Sequence, residues 1–125
     1  MPDPNTDDKN RELPLFLYGT LRKGESAEGE IAADVVRRAP ARARGRLLAL
    51  NAPYPGAVFG ADEGWLDGEI VWLKPATFAA TLDRVDAYEN VPFLFRRIAV
   101  QVETEGQTVE AWAYTYTHAS HALKL

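Results

Sequence analysis

FLFRRIAVQVETEGQTVEAWAYTY (residues 93–116) alternates along both of its halves and breaks once, at Glu105-Gly106. Before the break Ile98, Val100 and Val102 recur at every second position; after it Val109, Ala111 and Ala113 oppose Trp112, Tyr114 and Tyr116. A period of two is that of a strand with two different faces. An acidic residue followed by glycine between two such runs is the signature of a short hairpin turn. Phe93–Glu103 and Thr108–Tyr116 are therefore expected to pair antiparallel.

Working back from this hairpin, Asp67–Leu73 sets Ile70 and Trp72 against Glu69 and Val71, a further strand. Pro75 suits the first turn of a helix, which is expected to run from Ala76 to Tyr88 or Glu89. Arginines at 42, 44 and 46 alternate with Ala41, Ala43 and Gly45 before Leu47–Leu50 turns apolar, a strand with one solvated face. Between these strands, Asn51–Gly60 holds two prolines and two glycines around Tyr54 and reads as an ordered loop leading into a short extended piece. Leu13–Tyr18 is an apolar run ending at Gly19, expected to be a central strand. Glu28–Arg38, with Ile31 and Val35 four apart, suits a short helix that Pro40 ends. Mixed strands and two helices make an α+β domain, with a curled sheet or small barrel packed on helices.

A chain of 125 residues, 46% of them hydrophobic, suits one domain with a single core. The reading divides it into a flexible tail over residues 1–12, a domain over 13–117 and a C-terminal tail over 118–125. Met1–Glu12 is polar and acid-rich and lacks the basic start and apolar stretch of a secretory signal. The absence of cysteine excludes disulfides and thiolate chemistry and is compatible with a cytoplasmic location. No apolar run approaches the roughly 20 residues of a membrane-spanning helix, so no membrane partner is expected. A net charge of −4 argues against a general nucleic-acid binder. The basic cluster of Arg37, Arg38, Arg42, Arg44 and Arg46 reads as a solvated strand face, because no aromatic residues interleave with it as stacking platforms. No long amphipathic helix is left over for an interface, which points to a monomer.

Chemistry is carried by few residues. Phe78, Leu82 and Val85 mark the buried stripe of the second helix, and Glu89 lies four residues beyond Val85. On that face burial and the negative end of the helix dipole both raise the proton affinity of its carboxyl, which can then take and give a proton near neutral pH. The alternative is that Glu89 has already left the helix before Asn90 and Pro92 and points to solvent, the commoner fate of a helix-end glutamate. Asp83 and Asp86 read as solvated or as capping local backbone. In LYGTL (residues 17–21) a strand stops at Tyr18-Gly19-Thr20. Unpaired backbone N–H groups there can cradle a carboxylate or a developing oxyanion, or the glycine serves only an ordinary turn. Arg22-Lys23-Gly24 lacks the order of a phosphate loop. His118 and His121 have no acidic pair beside them and read as exposed residues. Trp65, Trp72 and Trp112, with Tyr54, either line a pocket or pack in the core.

FLYGTLRKG near the start, YPGAV in the middle, LDRVDAYEN followed by FRR, and a final AWAYTY resemble, in order, the motifs of the gamma-glutamylcyclotransferase-like family, in particular its small gamma-glutamylamine branch. The resemblance implies a mixed, mostly antiparallel small β-barrel with flanking helices and a substrate cavity at one end. It implies that the α-amine of a gamma-glutamyl group attacks its own side-chain carbonyl, giving 5-oxoproline and a free amine from a small-molecule substrate without metal or cofactor. Carried over, Glu89 matches the catalytic glutamate, Tyr18, Gly19, Thr20 and Leu21 match the turn that binds the glutamyl group, and Tyr114 and Tyr116 match an aromatic pair near the C-terminal strand. Two departures stand out: Ala27-Glu28-Gly29 replaces an asparagine-histidine pair, and Phe95 stands where a tyrosine is common. The same scaffold without turnover, as a small-molecule-binding or interaction domain, is the alternative.

Overall fold

The computed structural model describes residues 11–18, 29, 31–50, 56–91, 93–117 and 123–124. Seven strands run in the order β1 (Leu15–Leu17), β2 (Val35–Ala49), β3 (Gly56–Phe59), β4 (Trp65–Leu73), β5 (Phe95–Thr104), β6 (Gln107–Tyr116) and β7 (Leu123–Lys124), with a helix, α1 (Phe78–Tyr88), between β4 and β5. Five of the strands close on themselves, β2 to β4 to β1 to β6 to β5 and back to β2. Four of those contacts are antiparallel, and β1 lies parallel to β6, which makes the barrel mixed. The α+β barrel expected from the sequence is the observed fold.

The hairpin forms antiparallel as expected, with the register running from Phe95↔Tyr116 to Thr104↔Gln107. Its turn has φ of 52° at Glu105 and 78° at Gly106. Two positive φ values in succession match the right-handed twist of the flanking strands, and only the second position is a glycine that adopts them at no cost. Elsewhere a glycine is demanded by close approach: a Cβ on Gly68 in β4 would sit 2.4 Å from the Leu17 carbonyl oxygen on β1.

Alternation sorts the side chains into two cores. Ala39, Ala41 and Ala43 of β2, Phe16, Ile70, Val102, Ala111 and Ala113 pack in one cluster, with Val100 and Val109 against it. Small residues dominate there because a five-stranded barrel encloses little space. Leu15, Leu17, Val71, Phe95, Trp112 and Tyr114 take the other face, where α1 covers them with Phe78, Leu82 and Val85. That stripe was legible in the sequence.

The helix expected over Glu28–Arg38 is not observed among the described residues. A short 3-10 turn occupies Ala32–Asp34, and Val35–Arg38 begin β2. Two β-branched residues start the strand, and Arg37, Arg38 and Ala39 pair with Trp72, Val71 and Ile70 of β4. Pro40 does not end an element but lies inside β2. It is tolerated because pairing to β5 starts only at Arg42, so at Pro40 the ladder is on the β4 side alone. The Pro40 carbonyl accepts a hydrogen bond from Thr104 Oγ1 at 2.8 Å.

Contacts also reach either side of residues 13–117. The Arg11 carbonyl accepts from Trp112 Nε1 at 3.0 Å, and Leu123 and Lys124 pair with Ala49 and Leu48. No described helix is long and apolar enough to cross a membrane.

Candidate active site

Helix α1 ends in a particular way. Asn90 adopts φ 55°, its N–H reaches the Ala87 carbonyl at 3.1 Å, and the Val91 N–H reaches that of Asp86 at 3.0 Å. This is a Schellman cap, and Val91 packs against the same cluster as Val85. Glu89 is the capping residue, with its own N–H still bonded to the Val85 carbonyl at 2.9 Å. The glutamate therefore stands at the very end of the helix and yet remains partly buried. Both halves of the sequence argument hold in part: the helix does stop, and Glu89 is only partly given up to solvent.

Burial, and after it the charge of Asp86, raises the Glu89 carboxyl to about 7. Tyr18, at the end of β1, is affected in turn, its phenol pushed far above its ordinary value by burial and by the charge of Glu89. Its hydroxyl donates to the Tyr114 carbonyl at 2.6 Å. The Tyr114 phenol is also raised, first by burial, then by the charge of Asp86 and the hydrogen bond to it, against the opposing charge of Arg97. Glu89, Tyr18 and Tyr114 thus gather where β1 and β6 both run out. Tyr116 is two positions further along β6, stacked edge-on to Phe95 with ring centroids 5.5 Å apart. Gly19, Thr20 and Leu21 lie outside the described residues, as do Tyr54, His118 and His121.

Asp86 is neither solvated nor spent on local backbone. Its Oδ1 accepts from Arg97 Nε at 3.0 Å and from the Tyr114 hydroxyl at 2.7 Å, and its Oδ2 accepts from Arg97 Nη2 at 3.2 Å. Arg97 is fully buried and lies with its Cζ 4.5 Å from the centre of the Trp112 ring. Its Nη1 is buried with no hydrogen-bond partner among the described residues. Sequence reasoning missed this network, although signals for it existed. Asp86 lies four residues after Leu82, and Arg97 shares a strand face with Phe95 and Ala99. An acid and a base on two apolar faces are a pair in waiting. Asp83 is exposed.

The β2 arginines need a second correction. Aromatics do interleave with them, supplied across the sheet: Trp65 lies between Arg42 and Arg44, at 4.0 and 3.9 Å, and Trp72 against Arg37 at 4.6 Å. Carboxylates offset most of the charge, because Arg37 pairs with Glu105, Arg38 with Glu69, Arg42 with Glu103 and Arg46 with Glu63. An open groove of about 440 Å³ beside this face is lined by Arg42, Asp67 and Glu103 and by the hairpin turn, at the barrel end away from Glu89. The three tryptophans do not share a pocket, since Trp112 is buried under α1 and Trp65 is partly exposed on β4. Among the described residues no three His, Asp or Glu side chains gather as metal ligands.

A closed mixed barrel with one capped helix, carrying a carboxyl of near-neutral proton affinity beside two phenols at a barrel end, defines the class. Residues 15–124 match the family described as gamma-glutamyl cyclotransferase, AIG2-like, and the chain belongs to that family. It is similar to the gamma-L-glutamyl-butirosin B gamma-glutamyl cyclotransferase of Niallia circulans, 32% identical over 82% of this chain and 65% of that protein. A Vibrio cholerae protein provisionally named a gamma-glutamylcyclotransferase is 34% identical over 87% of this chain and 88% of its own. Among solved structures, YkqA from Bacillus subtilis superposes with a TM-score of 0.67 at 27% identity, over 86% of this chain and 36% of that one. The chain therefore spans about two thirds of the Niallia relative and little more than a third of YkqA.

Proposed function

We propose that the protein cyclises a gamma-glutamyl amide to 5-oxoproline, with Glu89 as the group that moves the proton. The observation that carries the reading is a partly buried carboxyl at the barrel end, its pKa raised to about 7 by desolvation and by the charge of Asp86, in a chain of this family. The substrate's α-ammonium gives a proton to the Glu89 carboxylate. The freed amine attacks the side-chain carbonyl carbon, forming the ring C–N bond; the amide C–N bond breaks as Glu89 returns its proton to the leaving nitrogen, and the second proton of the ring nitrogen passes to the released amine, which departs as an ammonium. Attack is intramolecular, so holding the amine over the carbonyl supplies much of the acceleration. In this reading Tyr18 and the turn of Gly19, Thr20 and Leu21 hold the glutamyl group and the developing oxyanion, and Tyr114 and Tyr116 wall the site. The substrate is a small molecule with an amine as leaving group, and the enzyme works as a cytoplasmic monomer, with no nucleic-acid or membrane partner.

The test is a panel of gamma-glutamyl amines and amino acids incubated with wild type and Glu89→Gln, followed by mass spectrometry. The expected result is 5-oxoproline from wild type alone, which also identifies the leaving group. Glutamate in its place would make the protein a hydrolase, and absence of product across the panel would sink the enzyme reading in favour of a binding domain.

A further inference from the structure

We infer that Asp86, Arg97 and Tyr114 form one positioning unit that fixes a carboxylate beside Glu89 and thereby tunes its proton exchange. The inference deepens the proton-shuttle reading of Glu89 and rests on it.

Three elements contribute. Arg97 of β5 and Tyr114 of β6 are directly opposite each other in the ladder, so their side chains leave neighbouring rungs on the face that α1 covers. Both converge on Asp86: the guanidinium holds both carboxylate oxygens and the phenol holds Oδ1 a second time. A carboxylate with three donors on two oxygens cannot swing away. Asp86 stands three residues before Glu89 on the same helix, and its backbone carbonyl is tied into the cap through Val91, so the spacing between the two acids is fixed at both ends.

The charged and titratable groups around Glu89, among the described residues, come from each element packed there. Asp86 comes from α1, Tyr18 from the end of β1, Tyr114 from β6, and Arg97 from β5 behind Asp86. Both phenols stay neutral through the physiological range because their proton affinities are raised. Asp86, offset in part by Arg97, is thus the charge that acts on Glu89, and it adds to the effect of burial. If the pair existed for stability alone, apolar residues of similar volume would replace it at little cost. A tuning role ties the arginine and phenol to the acid on which the chemistry turns.

The experiment titrates the glutamate side-chain carboxyl carbons by ¹³C NMR in wild type, Asp86→Asn and Tyr114→Phe, with Glu89→Gln identifying the resonance. In Asp86→Asn the Glu89 midpoint is expected to fall by about one unit, since a like charge is lost and Arg97 is left uncompensated. In Tyr114→Phe it is expected to rise, because the Asp86 charge is no longer shared with a phenol and the site becomes drier. Opposite signs separate tuning from loosening, which would expose Glu89 and lower both midpoints. An unchanged midpoint in Asp86→Asn, or a fall in both variants, overturns the inference. Should Asp86→Asn fail to fold, a rise in Tyr114→Phe upholds it and a fall or no change overturns it. The titration needs no substrate. Loss of 5-oxoproline formation from every preparation would therefore sink the shuttle reading separately, and where product forms, the acid limb of kcat/KM should follow the midpoints.

Discussion

Arg97 and Arg42 each hold a carboxylate at 3.0 Å, one on the covered face of β5 and the other on the outside of β2. Arg97 and Asp86 have side-chain exposures of 0% and 15%, whereas Arg42 and Glu103 have 46% and 44%. Distance alone would rank the two pairs equal. Water decides otherwise, because an exposed pair gains little that solvent did not already provide, while breaking a buried pair strands a charge. The site end of the barrel is therefore electrostatically stiff, and the arginine face is electrostatically cheap to alter.

The largest effect should come from Arg97→Met, which leaves Asp86 without its guanidinium and is expected to cost about 3–5 kcal/mol in urea unfolding. Adding Asp86→Leu should recover much of that loss. If the double variant is no better than the single one, the cost lies in packing against Trp112 and the comparison fails.

Next comes the acid that has a like charge for a neighbour. Glu89 is raised from 4.5 when unfolded to about 7 when folded. Between those values the native state holds more protons than the unfolded state, so stability falls as pH rises through the window. Below about pH 4.5 no penalty applies, and above 7 it is complete, at about 3 kcal/mol from 1.36 kcal/mol per unit. Glu89→Gln should accordingly raise the urea midpoint at pH 8 and leave it little changed at pH 4.5. Equal effects at both pH values would mean that the carboxyl is not held in a desolvated place.

A smaller effect is expected at Asn90, whose φ of 55° asks for a left-handed residue. Asn90→Ala should cost about 1 kcal/mol by thermal unfolding, while Asn90→Gly should be close to neutral. A neutral alanine would show that the cap does not hold the helix end. Smallest of all, Arg42→Ala should change stability by less than about 1 kcal/mol, and the change should shrink in high salt. A salt-independent loss above that would instead implicate the stacking of Arg42 on Trp65.

What was legible in the sequence follows the range over which each residue acts. Hairpin, helix stripe and the alternation of β2 depend on neighbours two to four positions away, and all three were read correctly. Glu89 stood out because it extends the Leu82–Val85 stripe by one step. The stretch 28–38 was misread because Ile31 and Val35 fit a helix, whereas the rungs that claim Val35–Arg38 as strand lie on β4, more than 30 residues on. Asp86 was misread for the same reason, since it looks solvated until the face of β5 that carries Arg97 is known. The stacking of Trp65 between Arg42 and Arg44 was likewise invisible along the chain, because it is made across two strands.

The place of β1 carries one more consequence, in time. Three residues near the start of the chain lie between β4 and β6, with Leu15 beside Trp112 and the Tyr18 hydroxyl on the Tyr114 carbonyl. Those contacts span nearly a hundred residues, the kind of closure that slows folding. On the ribosome the barrel cannot shut until β6 has emerged, and the partly made sheet must wait with one flank each of β1 and β5 unpaired. The Glu89 end of the barrel closes only with β6, so a ribosome-stalled chain that ends before Gln107 should show no protection at Tyr18, and one long enough for β6 to have left the exit tunnel should gain it abruptly.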